Sequence, residues 1–347
     1  MGGATRAAHP ASAPWEGSRS VTIKVLNALI SIVAGVGGAL VLYYLLNKFA
    51  EKLPGRWEDR IKPYVYILPA VAAIALFLVY PAIQTIVYSF ANRDSTAWVG
   101  LDNYSELLGS PAFQQTLLNT LLWIAIVPAS TVVLGLAIAV LADRLRPRSE
   151  KLTKTIIFLP MAISMVGAAT IWRFVYEARP AGQPQIGLQN AIVTGLGFDP
   201  VVWLQQERLH LNSFWLMIIL IWAQVGFSMV LLSAAVKGVP TETLEAARID
   251  GANERQAFFR VVVPQIWPTV LTVFITVLIG VMKVFDIVYV MTNGNFNTNV
   301  IGLEFYNQLF TNGNAGYSAA IVVMLMLAIV PVMIYQVRHF RAQEAGR

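Results

Sequence analysis

The chain has 347 residues, 56% apolar and 13% charged; a soluble domain carries about 25% charged residues, so this composition is that of a polytopic membrane protein. It has no cysteine, and so no disulfide, thiolate nucleophile or Cys-based metal site; His9, His210 and His339 lie far apart, and no Gly-Lys dipeptide occurs, which removes a Walker A loop and ATP hydrolysis by this chain. The net charge of +6 gains meaning only from where the charges sit.

Residues 1–24 are rich in Ala, Gly, Ser and Pro and are expected to be disordered. Seven stretches are long and apolar enough to cross a membrane as helices: Val25–Leu46, Tyr64–Phe90, Leu117–Ala142, Thr155–Tyr176, Ser213–Val236, Pro268–Met291 and Tyr317–Val337. The first, with a basic linker to residue 63, forms an extra N-terminal span; a signal peptide would be shorter and would be followed by a small-residue cleavage site. Residues 64–337 form the core, and 338–347 a short tail. Pro69, Pro81, Pro128 and Pro160 are expected to kink their helices. Asn119 with Trp123, and Trp172 with Tyr176, read as residues of an interfacial aromatic belt.

The basic residues orient the chain. Asn47–Pro63 and Asp143–Lys154 hold five Lys/Arg each, Lys237–Trp267 four and Arg338–Arg347 three, whereas the alternating segments Ala91–Thr116, Glu177–Phe214 and Thr292–Gly316 hold one, two and none. The first group is therefore cytoplasmic. An odd number of spans then leaves the N-terminus outside, whereas Arg6, Arg19 and Lys24 pull it inward.

The cytoplasmic loop between the fifth and sixth spans reads Val239-Pro-Thr-Glu-Thr-Leu-Glu-Ala-Ala-Arg-Ile-Asp-Gly-Ala-Asn and ends in Val261-Val-Val-Pro264. Pro240 and Thr241 suit a helix start, with Thr241 as N-cap. Glu242 and Glu245 suit its positive end, and Gly251 can end it in a left-handed conformation. A second short helix, Glu254 to Val262, completes a compact knob whose small residues invite close approach by another surface.

The spacing Glu245-Ala246-Ala247, Asp250-Gly251, then Val261-x-Val263-Pro264 resembles the EAA loop of permease subunits in binding-protein-dependent ABC importers. That family usually has Ile and Leu where this chain has Val261 and Val263. Tyr80-Pro81, Ser89-Phe90, Gly100-Leu-Asp-Asn-Tyr104, Asn119-Thr120, Trp222 and Phe285-Asp286 with Thr292 look like the carbohydrate-uptake branch, the maltose and α-glucoside permeases. Asn293-Gly-Asn-Phe296 departs from the Gly-Gly-Pro that often follows the threonine there. The resemblance implies an all-α, type I ABC importer permease in a bacterial or archaeal cytoplasmic membrane. It also implies partners: a second homologous permease, two copies of a cytoplasmic ATPase subunit and an external sugar-binding protein. ATP and Mg²⁺ would be bound by the ATPase, with no cofactor on this chain. Glu245 would anchor the knob in the ATPase, Ala246 and Ala247 would permit close packing, and Gly251 would supply the turn.

Lys283 and Asp286 stand at i, i+3 within the sixth stretch, with Tyr289 continuing the face of an unbroken helix. Charges at mid-bilayer are expensive and face a cavity or a partner, so two readings stand: substrate contact and a structural salt bridge. Trp222, Gln224, Phe227 and Ser228 mix aromatic, amide and hydroxyl groups in the fifth span, as a carbohydrate path would. In the related permeases the substrate contacts lie in the spans flanking the EAA loop. An α-linked di- or oligosaccharide such as maltose or trehalose is the expected cargo. An ion-coupled carrier using Lys283 and Asp286 is the alternative; it would show an inverted repeat and broken helices, neither of which the sequence displays. An intramembrane enzyme would need a paired nucleophile and base.

Overall fold

The computed structural model describes residues 14–52 and 55–345. Every regular element among them is a helix. Six helices are long and apolar enough to cross a membrane, and a bent pair makes seven if counted as one span. The chain divides into two compact units, Met1–Ile83 and Gln84–Arg347.

In the first unit, α1 (Pro14–Ala50) pairs with α2 (Gly55–Ile74). The Tyr43 and Tyr66 rings stack at 6.4 Å, and the Tyr66 hydroxyl donates to Asn47 Oδ1. Residues 1–13 of the segment expected to be disordered lie outside the described residues. From Pro14 onward the backbone is helical, which corrects the expectation for residues 14–24; proline is favourable in a first turn because its missing N–H would be unpaired there anyway.

Helix α2 passes through a π turn, Ala75–Val79, into α3 (Tyr80–Tyr88). A second π turn, Phe258–Val262, joins α11 (Glu254–Ala257) to α12 (Val263–Val281). Each π turn ends two residues before a proline, Pro81 and Pro264. A proline clashes with the carbonyl four residues back, and the wider turn relieves that clash, so both helices run on. Pro128 likewise sits inside the single helix α5 (Pro111–Ala142).

In the second unit, α4 (Asp102–Gly109) leads into α5, whose first turn is capped by Ser110. The Gly100-Leu-Asp-Asn-Tyr104 motif locks the corner before it. Asn103 donates to the Ser89 and Ala91 carbonyls at 2.9 and 2.8 Å, and the Tyr104 hydroxyl donates to Ser89 Oγ at 2.6 Å. Helix α5 packs along α9 (Leu211–Lys237), with α12 against both. Trp123, Val127, Leu216, Met229 and Val273 are fully buried in this core. Two glycines set its tightness. A Cβ on Gly135 would meet Ser228 Oγ at 2.4 Å, and one on Gly226 would meet the Ile157 carbonyl oxygen at 2.4 Å.

Two spans are broken rather than straight. The fourth consists of α6 (Pro147–Phe158) and α7 (Met165–Val175), bent by 105° at a 3₁₀ turn that holds Pro160. Ser164 restarts the chain by accepting from the Gly167 N–H. The sixth helix, α12, stops at Val281, and α13 (Asp286–Met291) begins after a stretch in which Phe285 has φ −143° and ψ −58°. The Val284 carbonyl in this gap faces Gly302 of α14 (Ile301–Tyr306), where a Cβ would come within 2.6 Å of it. The breaks correct the reading of unbroken spans and the end of the sixth stretch at Met291.

Between these elements, α8 (Leu188–Gly195) lies in the long loop from α7 to α9, held by buried Asn190, which donates to the Glu177 and Val201 carbonyls. Helix α10 (Thr241–Ile249) heads the loop before α11. The last helix, α15 (Ala315–Ala345), continues through the expected tail. At the end where the basic residues gather, Lys154 bridges Asp143 and Glu150 at 2.5 and 2.6 Å, and Lys237 from the end of α9 joins Glu150. This cluster ties the ends of α5, α6 and α9 together.

Gly226→Ala should lower the thermal midpoint, at a cost of about 1–3 kcal/mol, because the clash is with backbone. Gly195→Ala, which meets nothing within 4 Å, should be neutral; equal midpoints for the two variants would contradict the packing account.

Candidate functional site

Helix periodicity separates the candidates on α9. Leu220, Gln224 and Phe227 recur at i, i+4 and i+7 and face a cavity of about 380 Å³. Thr276 and Gly280 of α12 supply the facing wall, Met161 and Met165 enter from the two sides of the α6/α7 bend, and Lys283, Phe285 and Asp286 enter from the α12/α13 break. Both broken spans thus open onto one hollow, as irregular backbone at membrane depth requires.

Trp222 and Ser228 point elsewhere. The Trp222 ring meets Trp172 at 5.7 Å. Ser228 is fully buried against Gly135. Neither lines the cavity: the two stand on other faces of α9 than Gln224 and Phe227.

Lys283 and Asp286 do not share a helix face, because the helix unwinds between them. Among the described residues neither side chain has an ion-pair or hydrogen-bond partner, and nor does that of Gln224. The salt-bridge reading therefore falls. Lys283 and Asp286 present opposite, unpaired charges to the cavity beside the amide of Gln224. Tyr289 lies beyond them, its ring stacked on Phe285 at 5.1 Å, and lines an adjacent recess instead.

The loop that follows is stapled from two spans. Asn293, Phe296 and Asn297 have positive φ, a conformation that needs support. Asn119 of α5 donates to the Asn297 and Asn299 carbonyls at 2.5 and 2.9 Å, and Asn212 of α9 to the Phe296 carbonyl at 2.6 Å. The Thr292 and Thr298 hydroxyls pair at 2.7 Å. The departure Asn293-Gly-Asn-Phe296 thus forms an ordered turn. Asn119 and Trp123 are both fully buried, and the Tyr176 hydroxyl donates to the Trp215 carbonyl at 2.8 Å. These residues build the interior rather than an interfacial belt. A buried amide one helical turn from a tryptophan was the available signal.

The EAA-like loop adopts the helix–turn–helix read from its residues. Gly251 has φ +83°. Its N–H donates to the Arg248 carbonyl, and that of Ala252 to the Ala247 carbonyl, a complete Schellman end. Asn253 and Gln256 then form a reciprocal capping box. Two details differ from expectation. Pro240 occupies the cap position without a side-chain bond, so Thr241 is the first helical residue. The second arm is not a separate helix but the start of the sixth span, and Pro264 lies within it. Glu245, Ala246 and Asp250 are exposed, Ala247 is half-buried, and Ile249 is 86% exposed. Arg248 pairs with Glu254 at 3.1 Å across the turn.

Removing the Asn119 amide would leave two loop carbonyls unpaired, at about 1–3 kcal/mol. Asn119→Ala should therefore speed hydrogen exchange at residues 295–299 and leave exchange in α10 unchanged; unchanged exchange at 295–299 would contradict the staple.

Comparison with known proteins agrees with this architecture. The family described as "Binding-protein-dependent transport system inner membrane component" matches residues 131–343. The chain is 46% identical over 93% of its length to the alpha-glucoside transport system permease protein AglF of Rhizobium meliloti, covering 99% of that protein. It is 49% identical over 82% of its length to the osmoprotective compounds uptake permease protein GgtC of Synechocystis, covering all of it. Its fold matches a chain of a bacterial ABC transporter involved in the import of the acidic polysaccharide alginate, with a TM-score of 0.71 and 22% identity over 83% of this chain and 99% of that one. The chain belongs to the family of inner-membrane permease components of binding-protein-dependent transport systems.

Proposed function

We propose that this chain forms one transmembrane half of an ATP-driven importer in the cytoplasmic membrane, and that its cargo is a carbohydrate, an α-linked di- or oligosaccharide such as maltose or trehalose. The observation that carries the reading is the cavity itself. Unpaired Gln224, Lys283 and Asp286 stand beside the Phe227 and Phe285 rings around about 380 Å³, within the range of small-molecule sites. A sugar offers hydroxyls to amide and charged groups and a C–H face to aromatic rings, so it uses both kinds of wall. The names of AglF and of the arabinooligosaccharides permease AraP of Bacillus subtilis, 29% identical over 81% of this chain, point the same way.

In this reading the exposed face of α10 seats in a cytoplasmic ATPase subunit, which binds the ATP and Mg²⁺. Glu245 is the polar anchor, Ala246 and Ala247 allow close approach, and Ile249 adds an apolar contact. The continuous backbone from Glu254 to Val281 then links this joint to the broken segment at Lys283. A second permease, a second ATPase copy and an external binding protein complete the assembly, and alternation of access is a rigid-body switch.

One observation favours a second cargo. Lys283 and Asp286 are unpaired and opposite in charge, which also suits a zwitterionic osmoprotectant, and GgtC is named for osmoprotective compounds. An ion-coupled carrier has lost its ground: it is not how this family is named, and the presumed relay pair is not in contact.

Uptake by reconstituted vesicles that contain the partner subunits, tested with labelled maltose, trehalose and glycine betaine, separates the readings. Sugar uptake is the expected result; uptake of betaine alone would overturn the carbohydrate assignment. Gln224→Ala and Asp286→Ala should each reduce sugar uptake about tenfold, the size of one lost polar contact to a bound ligand, with assembly intact. Glu245→Lys and Gly251→Asp should abolish uptake while the protein still reaches the membrane, and normal transport by both would remove the ATPase joint.

A further inference from the structure

Beside the central cavity lies a second hollow of about 460 Å³, between α13 and the segment that follows α14. Tyr289 and Tyr306 wall it, and Asn293, Glu304, Asn307 and Gln308 surround them. An unbroken run of aromatic rings connects the two hollows. Phe285, which lines the central cavity, stacks on Tyr289 at 5.1 Å and 20° and meets Tyr306 at 5.0 Å. Tyr289 meets Tyr306 at 5.4 Å, and Tyr306 meets Phe310 at 5.0 Å.

Internal packing does not account for this run. Tyr289 is 41% exposed and Phe310 67%, so much of their ring surface is unused by the chain. Nor are the polar groups consumed. Glu304 accepts from Asn299 at 2.6 Å and Gln308 at 2.8 Å, which fixes the carboxylate but leaves lone pairs free. The side chains of Asn293, Asn307 and Thr311 make no hydrogen bond among the described residues. A π turn, Asn307–Thr311, brings Asn307 and Thr311 to the recess while Phe310 stays against Tyr306.

Exposed aromatic surface flanked by free amides and a fixed carboxylate matches one ligand chemistry well. A pyranose lays its C–H face on an aromatic ring and turns its equatorial hydroxyls to amides and carboxylates. A purely apolar ligand would leave the rim unpaired. The segment Thr292–Gly316 carries no Lys or Arg, which places the recess toward the outer side by the charge rule, where cargo enters.

We propose that this recess is a second carbohydrate subsite, continuous with the central cavity across the Phe285–Tyr289 stack. One sugar chain would then lie along both hollows, with the exposed Tyr289 ring as the platform for the outer sugar. The assignment rests on the carbohydrate reading of the central cavity and adds to it a preference for longer chains.

The test compares uptake of labelled maltotriose and maltose by the complete reconstituted transporter with binding protein in excess. The ratio of the two uptakes in the same vesicles cancels differences in assembly. Tyr289→Ala and Tyr306→Ala should lower the trisaccharide-to-disaccharide ratio about tenfold, and Asn307→Ala severalfold, the scale of one lost stacking or polar contact. Tyr306→Phe should retain the ratio, and ATP hydrolysis without sugar should stay unchanged in all four. If Tyr306→Ala fails to assemble, Tyr289→Ala and Asn307→Ala, at partly exposed positions, carry the test. An unchanged ratio in these two overturns the subsite, as does uptake of maltose without maltotriose by the unsubstituted transporter. If Gln224→Ala is still impaired in either case, the central cavity stands and only the recess falls. Absence of any sugar uptake by the unsubstituted protein brings down both.

Discussion

Backbone polar groups buried in a membrane have no water to fall back on. A helix can therefore be interrupted there only where protein covers the freed groups or a cavity hydrates them. This constraint organises the second unit. The sixth span unwinds after Val281, and Gly302 lies against the Val284 carbonyl, so near that any side chain would displace it. The other side of the same interruption opens onto the hollow that holds Lys283 and Asp286. The fourth span, bent at Pro160, faces the same hollow through Met161 and Met165. Breaking two helices at one place brings unpaired charges and free amides into a space between helices instead of lipid.

Small residues make this possible. Lipid tails are as apolar as leucine, so helices associate in a bilayer through close contact rather than through release of water. Gly135 lets α5 reach Ser228 of α9, and Gly226 lets α9 reach the Ile157 carbonyl just before the bend. The two helices and the bent span are thereby held as one body. Outside it, buried amides do the fixing: Asn103, Asn119, Asn190 and Asn212 each hold backbone carbonyls of a loop. Several residues that carried the family resemblance, such as Asn103 and Asn119, are these structural staples and touch no cavity.

The EAA-like loop and the central cavity share one piece of backbone. From the cap at Asn253 the chain runs through a π turn and α12 to the break at Lys283. The π turn beside Pro264 keeps that helix unbroken where a proline would otherwise interrupt it.

The number of spans, their charged ends and the helix–turn–helix around Gly251 were legible in the sequence, because each follows from local chemistry: length of apolar run, count of basic residues, and a glycine free to take φ of +83°. Gln224 and Phe227 could be named from the sequence as cavity candidates, but so could Trp222 and Ser228, and residue type could not separate them. Only the packing of α9 against α5 and the bent span decided which face looks into the hollow. The relation of Lys283 to Asp286 was likewise tertiary, since an i, i+3 spacing makes a pair only in an unbroken helix. Where it breaks, Gly302, nineteen positions from Lys283, lies against the Val284 carbonyl, and only the fold brings the two together. Local rules fix an element only until a distant part of the chain packs against its backbone, and that neighbour exists only once the chain has folded.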